Sequence, residues 1–187
     1  MKKTVKYFLL VSVIVAGFAA SGFSEQLVTA EQGIKDMLGN AAVTPKTVTL
    51  TAGQVSEVNA VFKQTLIIET KNPVVYTFYT TKKAGTAIVE NQMGKWGIIT
   101  TIFLVGIDGK MKNLEVLSLT EKRGRPVVLR PFLSQFVGKG IDDTIEVGQS
   151  INAVSGATIS SRAMTIAAKR ALAVYKVVMG ENTKSGK

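Results

Sequence analysis

Residues 155–161 read Ser-Gly-Ala-Thr-Ile-Ser-Ser, and a long helical pattern follows them directly. The first N–H groups of a helix lack intrahelical partners and carry a partial positive charge, which suits a phosphate group. The hydroxyl side chains of this run would stand where such a phosphate binds. Serine and threonine are also favoured helix caps, so an ordinary cap with a small-residue turn explains the same pattern. The run alone leaves both interpretations open.

The chain has no cysteine and no histidine. Disulfides, c-type haem attachment, iron–sulfur ligation and lipid attachment to a cysteine are therefore excluded. A histidine-ligated metal and a histidine general base are excluded as well. A redox cofactor would have to be organic and held by hydroxyl groups, backbone amides and basic side chains. We assign no catalytic residue and no metal ligand.

Basic side chains outnumber acidic ones by 23 to 13, which gives a formal net charge of +10. A basic surface fits an acidic redox partner or a membrane surface. The basic residues are scattered along the chain, and no signature of a nucleic-acid-binding fold is present. Nucleic acid is therefore not expected as a partner.

The first residues have the order of an export signal. Lys2, Lys3 and Lys6 precede an apolar run over residues 7–18, and small residues follow. This order is typical of a secretory signal peptide, and the run is shorter than the roughly 20 apolar residues that a spanning helix needs. We expect cleavage within residues 19–24, with a short membrane anchor over residues 7–23 as the alternative. Either way, the protein is expected to be exported and periplasmic or extracytoplasmic.

The rest of the chain predicts an α+β fold with a twisted, mostly antiparallel sheet flanked by helices in a single domain. We divide the chain into a leader at 1–24, N-terminal helices and strands at 25–84, a core at 85–180 and a disordered tail at 181–187. Residues 25–84 can belong to the same domain as the core. Within them, residues 25–46 are polar and small, which indicates a mobile connection or a first short helix.

Apolar spacing and turn residues locate the individual elements. Helices are predicted over residues 51–64, where Thr51 and Gln54 form a capping box, and over residues 160–179. A short helix opens at Arg130-Pro131, with Phe132, Leu133, Phe136 and Val137 as its apolar side. Strands are predicted over residues 66–70, 74–80, 86–89, 98–107 and 110–120, the last two joined by a hairpin at Asp108-Gly109.

The last helix carries two stripes at helical spacing. The core stripe comprises Met164, Ala167, Ala168, Ala171, Val174 and Val178. The predicted solvent stripe comprises Ser161, Arg162, Thr165, Lys169 and Lys176. Thr158 extends the solvent stripe, so its oxygen should be accessible, with the Arg162 cation one turn away. Arg162 could equally be an ordinary solvated helix residue.

Four segments in order resemble one family. They are residues 98–112 with their hairpin, the Glu-x-x-Gly loop at 121–124, the helix around residues 132–139, and the Ser-Gly-Ala-Thr run with its helix. Over roughly residues 85–178 the chain resembles the FMN-binding domain family. That family includes the flavin subunits of the Rnf and sodium-pumping NADH:quinone oxidoreductase complexes, and exported domains linked to multihaem cytochromes. This chain is more similar to the exported, stand-alone kind.

The resemblance implies a role for each matching residue. Thr158 would carry FMN through a phosphoester, Ser155, Gly156 and Ala157 would form the turn around the phosphate, and Ser160 and Ser161 would add donors. Glu121, Arg123 and Gly124 would lie near the flavin ring, although a charged loop after a strand explains them without a ligand. A flavin transferase would be needed for maturation.

One position departs from the family pattern, because Asn152 stands where an acidic residue usually precedes the motif serine by three positions. A carboxylate there would help the transferase recognise the site, or hold the magnesium that bridges the pyrophosphate of FAD. An amide keeps the shape of the side chain and loses its charge. Noncovalent FMN in the same pocket is therefore an alternative to the phosphoester.

The resemblance implies an electron carrier or redox subunit rather than a stand-alone enzyme. FMN accepts two electrons and can pass them on singly, so a donor and an acceptor protein suffice. Multihaem cytochromes or a membrane oxidoreductase are the expected partners. Two alternatives are an exported, flavin-free basic module that binds an anionic ligand or scaffolds a membrane redox complex, and a flavin enzyme that reduces a small acceptor.

Overall fold

The computed structural model describes residues 25–39, 43–63, 65–67, 73–81, 83–120 and 125–184. Its strands are β1 (Glu25–Gln26), β2 (Thr44–Leu50), β3 (Val74–Thr81), β4 (Gly85–Met93), β5 (Ile98–Val105) and β6 (Met111–Leu119). They form one sheet in the order β1-β6-β5-β4-β3-β2, and every neighbouring pair is antiparallel. Five long strands thus make an open antiparallel sheet, and β1 adds two residues to one edge.

The helices are α1 (Ala30–Leu38), α2 (Ala52–Val61), α3 (Arg130–Leu133) and α4 (Thr158–Lys184), with 3₁₀ turns at Arg125–Val128 and Ser134–Phe136. The larger core joins one face of the sheet to α2, α3 and α4. A smaller core joins the other face to α1. Helices therefore flank the sheet on both faces, which confirms the predicted α+β class.

Coverage of both faces explains the nearly continuous apolar run of β5. Phe103 and Val105 point into the larger core, whereas Ile102 and Leu104 point into the smaller one. Successive side chains of a strand alternate between faces, so a strand covered on both sides carries apolar residues at consecutive positions.

The predicted start of α2 is confirmed in detail. Thr51 Oγ1 accepts a hydrogen bond from the Gln54 backbone N at 3.2 Å, and Gln54 Oε1 accepts one from the Thr51 backbone N at 3.0 Å. This reciprocal pair is a capping box that satisfies two amides at the helix start. The predicted strands at 74–80 and 86–89 are also confirmed, within β3 and β4.

The strand predicted at residues 66–70 is wrong for Leu66 and Ile67, while residues 68–70 lie outside the described part of the chain. Asn59 Oδ1 accepts from the backbone N of both residues at 2.8 Å, and Asn59 Nδ2 donates to Ile67 O at 2.8 Å. One side chain of α2 thus supplies the hydrogen bonds that a neighbouring strand would have supplied. The two apolar side chains are buried without strand pairing.

The sequence prediction also missed β2, which pairs with β3 from Thr44↔Thr80 to Leu50↔Val74. It is an edge strand with mostly exposed side chains, so it lacks the apolar alternation of a half-buried strand. Of the two alternatives for residues 25–46, the short helix is observed as α1, which begins after Thr29 as its side-chain cap.

The β5–β6 hairpin is confirmed, with a different turn. Gly109 N donates to Gly106 O at 2.9 Å and Gly106 N donates to Lys110 O at 2.8 Å. Ile107 and Asp108 therefore occupy the centre of the turn, and Gly109 follows with a φ of +73°. This is the longer loop that ends in a left-handed glycine, rather than a two-residue turn at Asp108-Gly109.

Two further differences concern helices. Val137 is exposed and does not extend the apolar side of α3. The 3₁₀ turn at Ser134–Phe136 ends before it, and the backbone at Val137 is extended. Helix α4 starts at Thr158, two residues before its predicted start. It continues to Lys184, into the segment predicted as a tail, and residues 185–187 lie outside the described residues.

Within the described ranges, no helix is both long enough and apolar enough to cross a membrane.

Candidate functional site

A tight turn leads into α4. The Ala157 N donates to Val154 O at 2.9 Å, which closes the turn over Ser155 and Gly156. Gly156 has a φ of +75°, a conformation that glycine adopts without steric cost. A Cβ built on Gly156 would meet no atom within 4 Å, so the turn faces open space. Ser155 is exposed as well.

Thr158 is the first residue of α4, and its side chain is exposed. The residue before it is Ala157, which is buried and has no side-chain oxygen to cap the helix. The residue immediately before the helix therefore offers no hydroxyl cap. The threonine hydroxyl instead stands at the positive end of the helix dipole, on the solvent side.

Ser161 holds the turn against the helix from inside. Its Oγ accepts from the Val154 backbone N at 3.0 Å and donates to Ala157 O at 3.0 Å. Its side chain is buried, and so is that of Ser160. The Ser161 hydroxyl is thus engaged within the turn, while Thr158 and Ser155 are the exposed hydroxyls of the motif.

The predicted core stripe of α4 is confirmed: Met164, Ala167, Ala168, Ala171, Val174 and Val178 are all buried. The predicted solvent stripe is right for Arg162 and Lys176, which are exposed. It is wrong for Ser161, Thr165 and Lys169, which are buried. The reason is tertiary: the segment around Glu146 lies beside this face of α4, and Lys169 Nζ binds Glu146 Oε1 at 3.1 Å.

Asn152 is anchored through its backbone. Gln135 Oε1 accepts from Asn152 N at 2.7 Å, and Gln135 Nε2 donates to Asn152 O at 3.3 Å. The Asn152 side chain is exposed. The backbone of the position that departs from the family pattern is therefore held by hydrogen bonds to Gln135. A substitution of the Asn152 side chain leaves those bonds in place.

The comparison with protein families matches residues 94–173 to the FMN-binding domain. These residues belong to the FMN-binding domain family. The match implies a flavin-binding redox role and suggests FMN as the cofactor. No curated protein matches the chain. The FMN-binding domain starts at the turn between β4 and β5 and includes the Ser155–Thr158 turn and most of α4.

A groove along α4 reaches Arg162, one turn after Thr158. A cavity of about 470 Å³ lies along α4 between the helix and the 145–147 segment. Its polar lining comprises Thr65, Arg162, Thr165, Lys169 and Glu146, and its apolar lining comprises Leu66, Ile145, Val147 and Ile166. Its volume falls within the range of roughly 300–1,000 Å³ that is usual for small-molecule sites. Arg162 borders both the groove and the exposed start of the helix, so the residues present fit a group with a phosphate and an apolar part.

The turn between β4 and β5 lies at the end of the sheet where α4 begins. Thr101 Oγ1 donates to Met164 Sδ at 3.4 Å, and Tyr175 Oη donates to Gly106 O at 3.1 Å. Helix α4 therefore runs parallel to β5, and its first residue lies towards the Ile98 end. Trp96 in the adjacent turn is 63% exposed. The predicted site residues do not include Trp96, although a single tryptophan between Gly94-Lys95 and Gly97 is an unusual turn composition.

Three predicted site residues, Glu121, Arg123 and Gly124, lie outside the described residues. The residue before that loop adjoins the turn between β4 and β5. A Cβ built on Gly97 would lie 2.7 Å from Thr120 Cβ, so this glycine is needed for the close approach. The chain thus enters the Glu-x-x-Gly loop at the end of the sheet where α4 begins.

Proposed function

We propose that this protein carries FMN on Thr158 through a phosphoester and relays electrons between protein partners outside the cytoplasmic membrane. The observation that carries the proposal is the exposed Thr158 side chain at the first position of α4, inside the FMN-binding domain. A phosphoester needs an accessible hydroxyl. Among the motif threonine and serines, Thr158 and Ser155 have exposed side chains, and Thr158 stands at the helix start.

The residues around Thr158 have distinct tasks in this proposal. The helix start stabilises a phosphate on Oγ through its dipole and its first amides. Arg162, exposed one turn further along, contributes a cation. Gly156 keeps the approach to the hydroxyl open, and Ser161 holds the turn in its bent form.

FMN, when bound, supplies the capacity to accept two electrons and to release them one at a time. The chain has no histidine or cysteine for acid–base work. In this proposal the chain's own contribution is to hold and orient the cofactor. A donor and an acceptor such as a multihaem cytochrome or a membrane oxidoreductase would complete the path, and a flavin transferase would attach the FMN.

Mass spectrometry of the chain coexpressed with a flavin transferase tests the attachment. We expect one added FMN group on the peptide containing Thr158. Thr158→Val should remove the label because it keeps the branched shape and loses the hydroxyl, whereas Thr158→Ser should keep it. Label on another residue would overturn the assignment.

The colour of the denatured protein separates the remaining alternatives. Yellow colour that stays with the denatured chain supports a covalent link, and yellow colour released on denaturation indicates noncovalent FMN in the same pocket. A colourless protein after coexpression would favour a flavin-free module that binds an anionic ligand at the helix start.

Export is the second part of the proposal and rests on the Lys2–Lys6 cluster followed by the apolar run. Cell fractionation with N-terminal sequencing tests it. A mature chain beginning within residues 19–24, or an intact chain in the membrane fraction with its domain open to external protease, would support export. An intact chain in the cytoplasmic fraction would contradict it.

A further inference from the structure

We infer, on the basis of the proposed function, that Gln135 is a positioning residue for the attachment of FMN to Thr158 and acts through the backbone of Asn152. Gln135 lies in the 3₁₀ turn at Ser134–Phe136, and its side chain is half-buried. Asn152 lies on the segment that leads into the Ser155–Thr158 turn. A contact between these two residues therefore fixes where the chain enters that turn.

The amide group of Gln135 makes a reciprocal pair of hydrogen bonds with one residue. Its Oε1 accepts from Asn152 N at 2.7 Å, and its Nε2 donates to Asn152 O at 3.3 Å. A backbone neighbour in an antiparallel pair exchanges the same two bonds, so the glutamine side chain takes the place of a strand. Nε2 also donates to Phe132 O at 3.4 Å, which restricts rotation of the amide group.

The support under Gln135 is rigid. Phe132, Leu133 and Phe136, on either side of it in sequence, are buried in the larger core. The rings of Phe132 and Phe136 meet edge to face with their centres 5.5 Å apart. Side chains in a close-packed core have a well-defined arrangement, so the core fixes the position of Gln135 and, through it, the position of Asn152.

The segment before the motif is held at successive residues. Ile151 is buried on one side of Asn152, and on the other side Val154 N donates to Ser161 Oγ at 3.0 Å. Among the described residues, Gln135 is the hydrogen-bond partner of the Asn152 backbone. The described stretch from Asn152 to Val154 belongs to neither a helix nor a strand, so side chains supply the hydrogen bonds that regular structure supplies elsewhere.

Order in this segment matters because the transfer must reach one hydroxyl group. In the transfer, Thr158 Oγ forms a bond to the FMN phosphorus of FAD, a P–O bond of the pyrophosphate breaks, AMP leaves and the hydroxyl proton is released. Asn152, Ser155 and Thr158 have exposed side chains that a transferase can contact. A surface that is ordered before binding loses less entropy on binding, and when only a fraction of the chains is ordered the apparent affinity falls by that fraction.

The kinetics of flavin attachment separate positioning from chemistry. The full chain, produced without flavin, is incubated with a flavin transferase, FAD and magnesium, and initial labelling rates over a range of chain concentrations give KM and kcat. Gln135→Leu keeps a side chain of similar size and removes both hydrogen bonds to Asn152. We expect its KM to rise roughly 10-fold with kcat unchanged, because the ordered fraction falls while the hydroxyl group itself is unaltered.

Gln149→Leu is the matched control. Gln149 is an exposed glutamine of the preceding loop, and its Nε2 donates to Glu146 Oε2 at 2.7 Å rather than to the backbone of the segment that enters the motif. This variant should keep the wild-type KM and kcat.

Gln135→Glu supplies a rescue that depends on pH. Its carboxylate can accept from Asn152 N, but its second oxygen then faces Asn152 O, and two acceptors cannot form a hydrogen bond with each other. At low pH the carboxyl group carries a proton that it can donate to Asn152 O. The KM of this variant relative to the wild type should therefore fall as the pH is lowered from about 8 to about 5, whereas that of Gln135→Leu should stay constant.

Amide exchange, followed by NMR in the flavin-free chain, gives a readout that does not involve flavin. The amide of Asn152 should exchange faster in Gln135→Leu, while that of Ala157, which donates to Val154 O, should keep its wild-type rate. Unchanged exchange at Asn152, an unchanged KM in Gln135→Leu or an equal rise in Gln149→Leu would overturn the role of Gln135 alone. A wild-type chain that takes no label would contradict the proposed function and the role of Gln135 with it.

Discussion

Arg170 Nε on α4 donates to the carboxylate Oε2 of Glu90 on β4 at 2.7 Å. The same guanidinium donates to Asn91 O at 2.7 Å, to Gln92 Oε1 at 3.0 Å and to Leu66 O at 3.2 Å. The Glu90 side chain is only 1% exposed. One cation therefore joins the helix that begins with Thr158 to the sheet and to the 65–67 segment.

Replacing Arg170 should be strongly destabilising. Arg170→Gln leaves the Glu90 carboxylate buried without its cation, and breaking a buried pair in this way typically costs about 3–5 kcal/mol. Urea denaturation measures the free energy of unfolding. Lys176→Gln, at an exposed position of the same helix, should change it by no more than about 0.5 kcal/mol. Equal effects of the two substitutions would show that the buried pair is unimportant.

The loss of folding stability caused by Arg170→Gln should depend on pH. Burial raises the pKa of Glu90 above its ordinary value of 4.5, and the Arg170 charge opposes that rise. Without Arg170 the pKa of Glu90 should rise further. A carboxyl with a raised pKa in the folded state contributes stability below its unfolded pKa and loses it as the pH rises through the folded value. The variant should therefore lose less stability at about pH 4 than at about pH 7.

Ser161→Ala should loosen the turn that presents Thr158. The Val154 N–H loses its acceptor and Ala157 O loses a donor, which should lower the free energy of unfolding by about 1–3 kcal/mol. The flavin label on Thr158 should also form more slowly, because the turn is less well ordered. Ser134→Ala, at an exposed serine outside the turn, is the control for both measurements. Unchanged labelling would contradict a role for Ser161 in presenting the hydroxyl.

Gly156 should tolerate asparagine better than alanine. Its φ of +75° costs an alanine about 1–2 kcal/mol, whereas asparagine adopts this conformation more readily. Open space around the position means that backbone strain, not a clash, separates the two variants. Thermal unfolding should rank the wild type first, Gly156→Asn second and Gly156→Ala third. The reverse order of the two variants would contradict this account.

Asn152→Asp should label with flavin faster than the wild type. A carboxylate can help to hold magnesium or orient the Thr158 hydroxyl, and a neutral amide does either weakly. The backbone contacts with Gln135 remain, and the side chain is exposed, so thermal stability should barely change. The time course of FMN incorporation, followed by mass spectrometry, is the measurement. Equal rates would show that the acidic position is dispensable in this protein.

Several features follow from the sequence because neighbouring residues decide them. The Thr51–Gln54 capping box involves residues three positions apart, and the β5–β6 hairpin follows from two apolar segments around a glycine-containing turn. The core stripe of α4 follows from helical spacing. Helical spacing likewise predicts the exposed Thr158, which extends the stripe that contains Arg162.

Other features depend on residues distant in sequence, and only the tertiary structure decided them. Leu66 and Ile67 are not a strand because Asn59 satisfies their backbone, and β2 exists because β3 offers it an edge. Lys169 is buried because the segment around Glu146 supplies its counter-charge. Helical spacing shows which side chains share a face, but a face is exposed or buried only according to what another segment places over it.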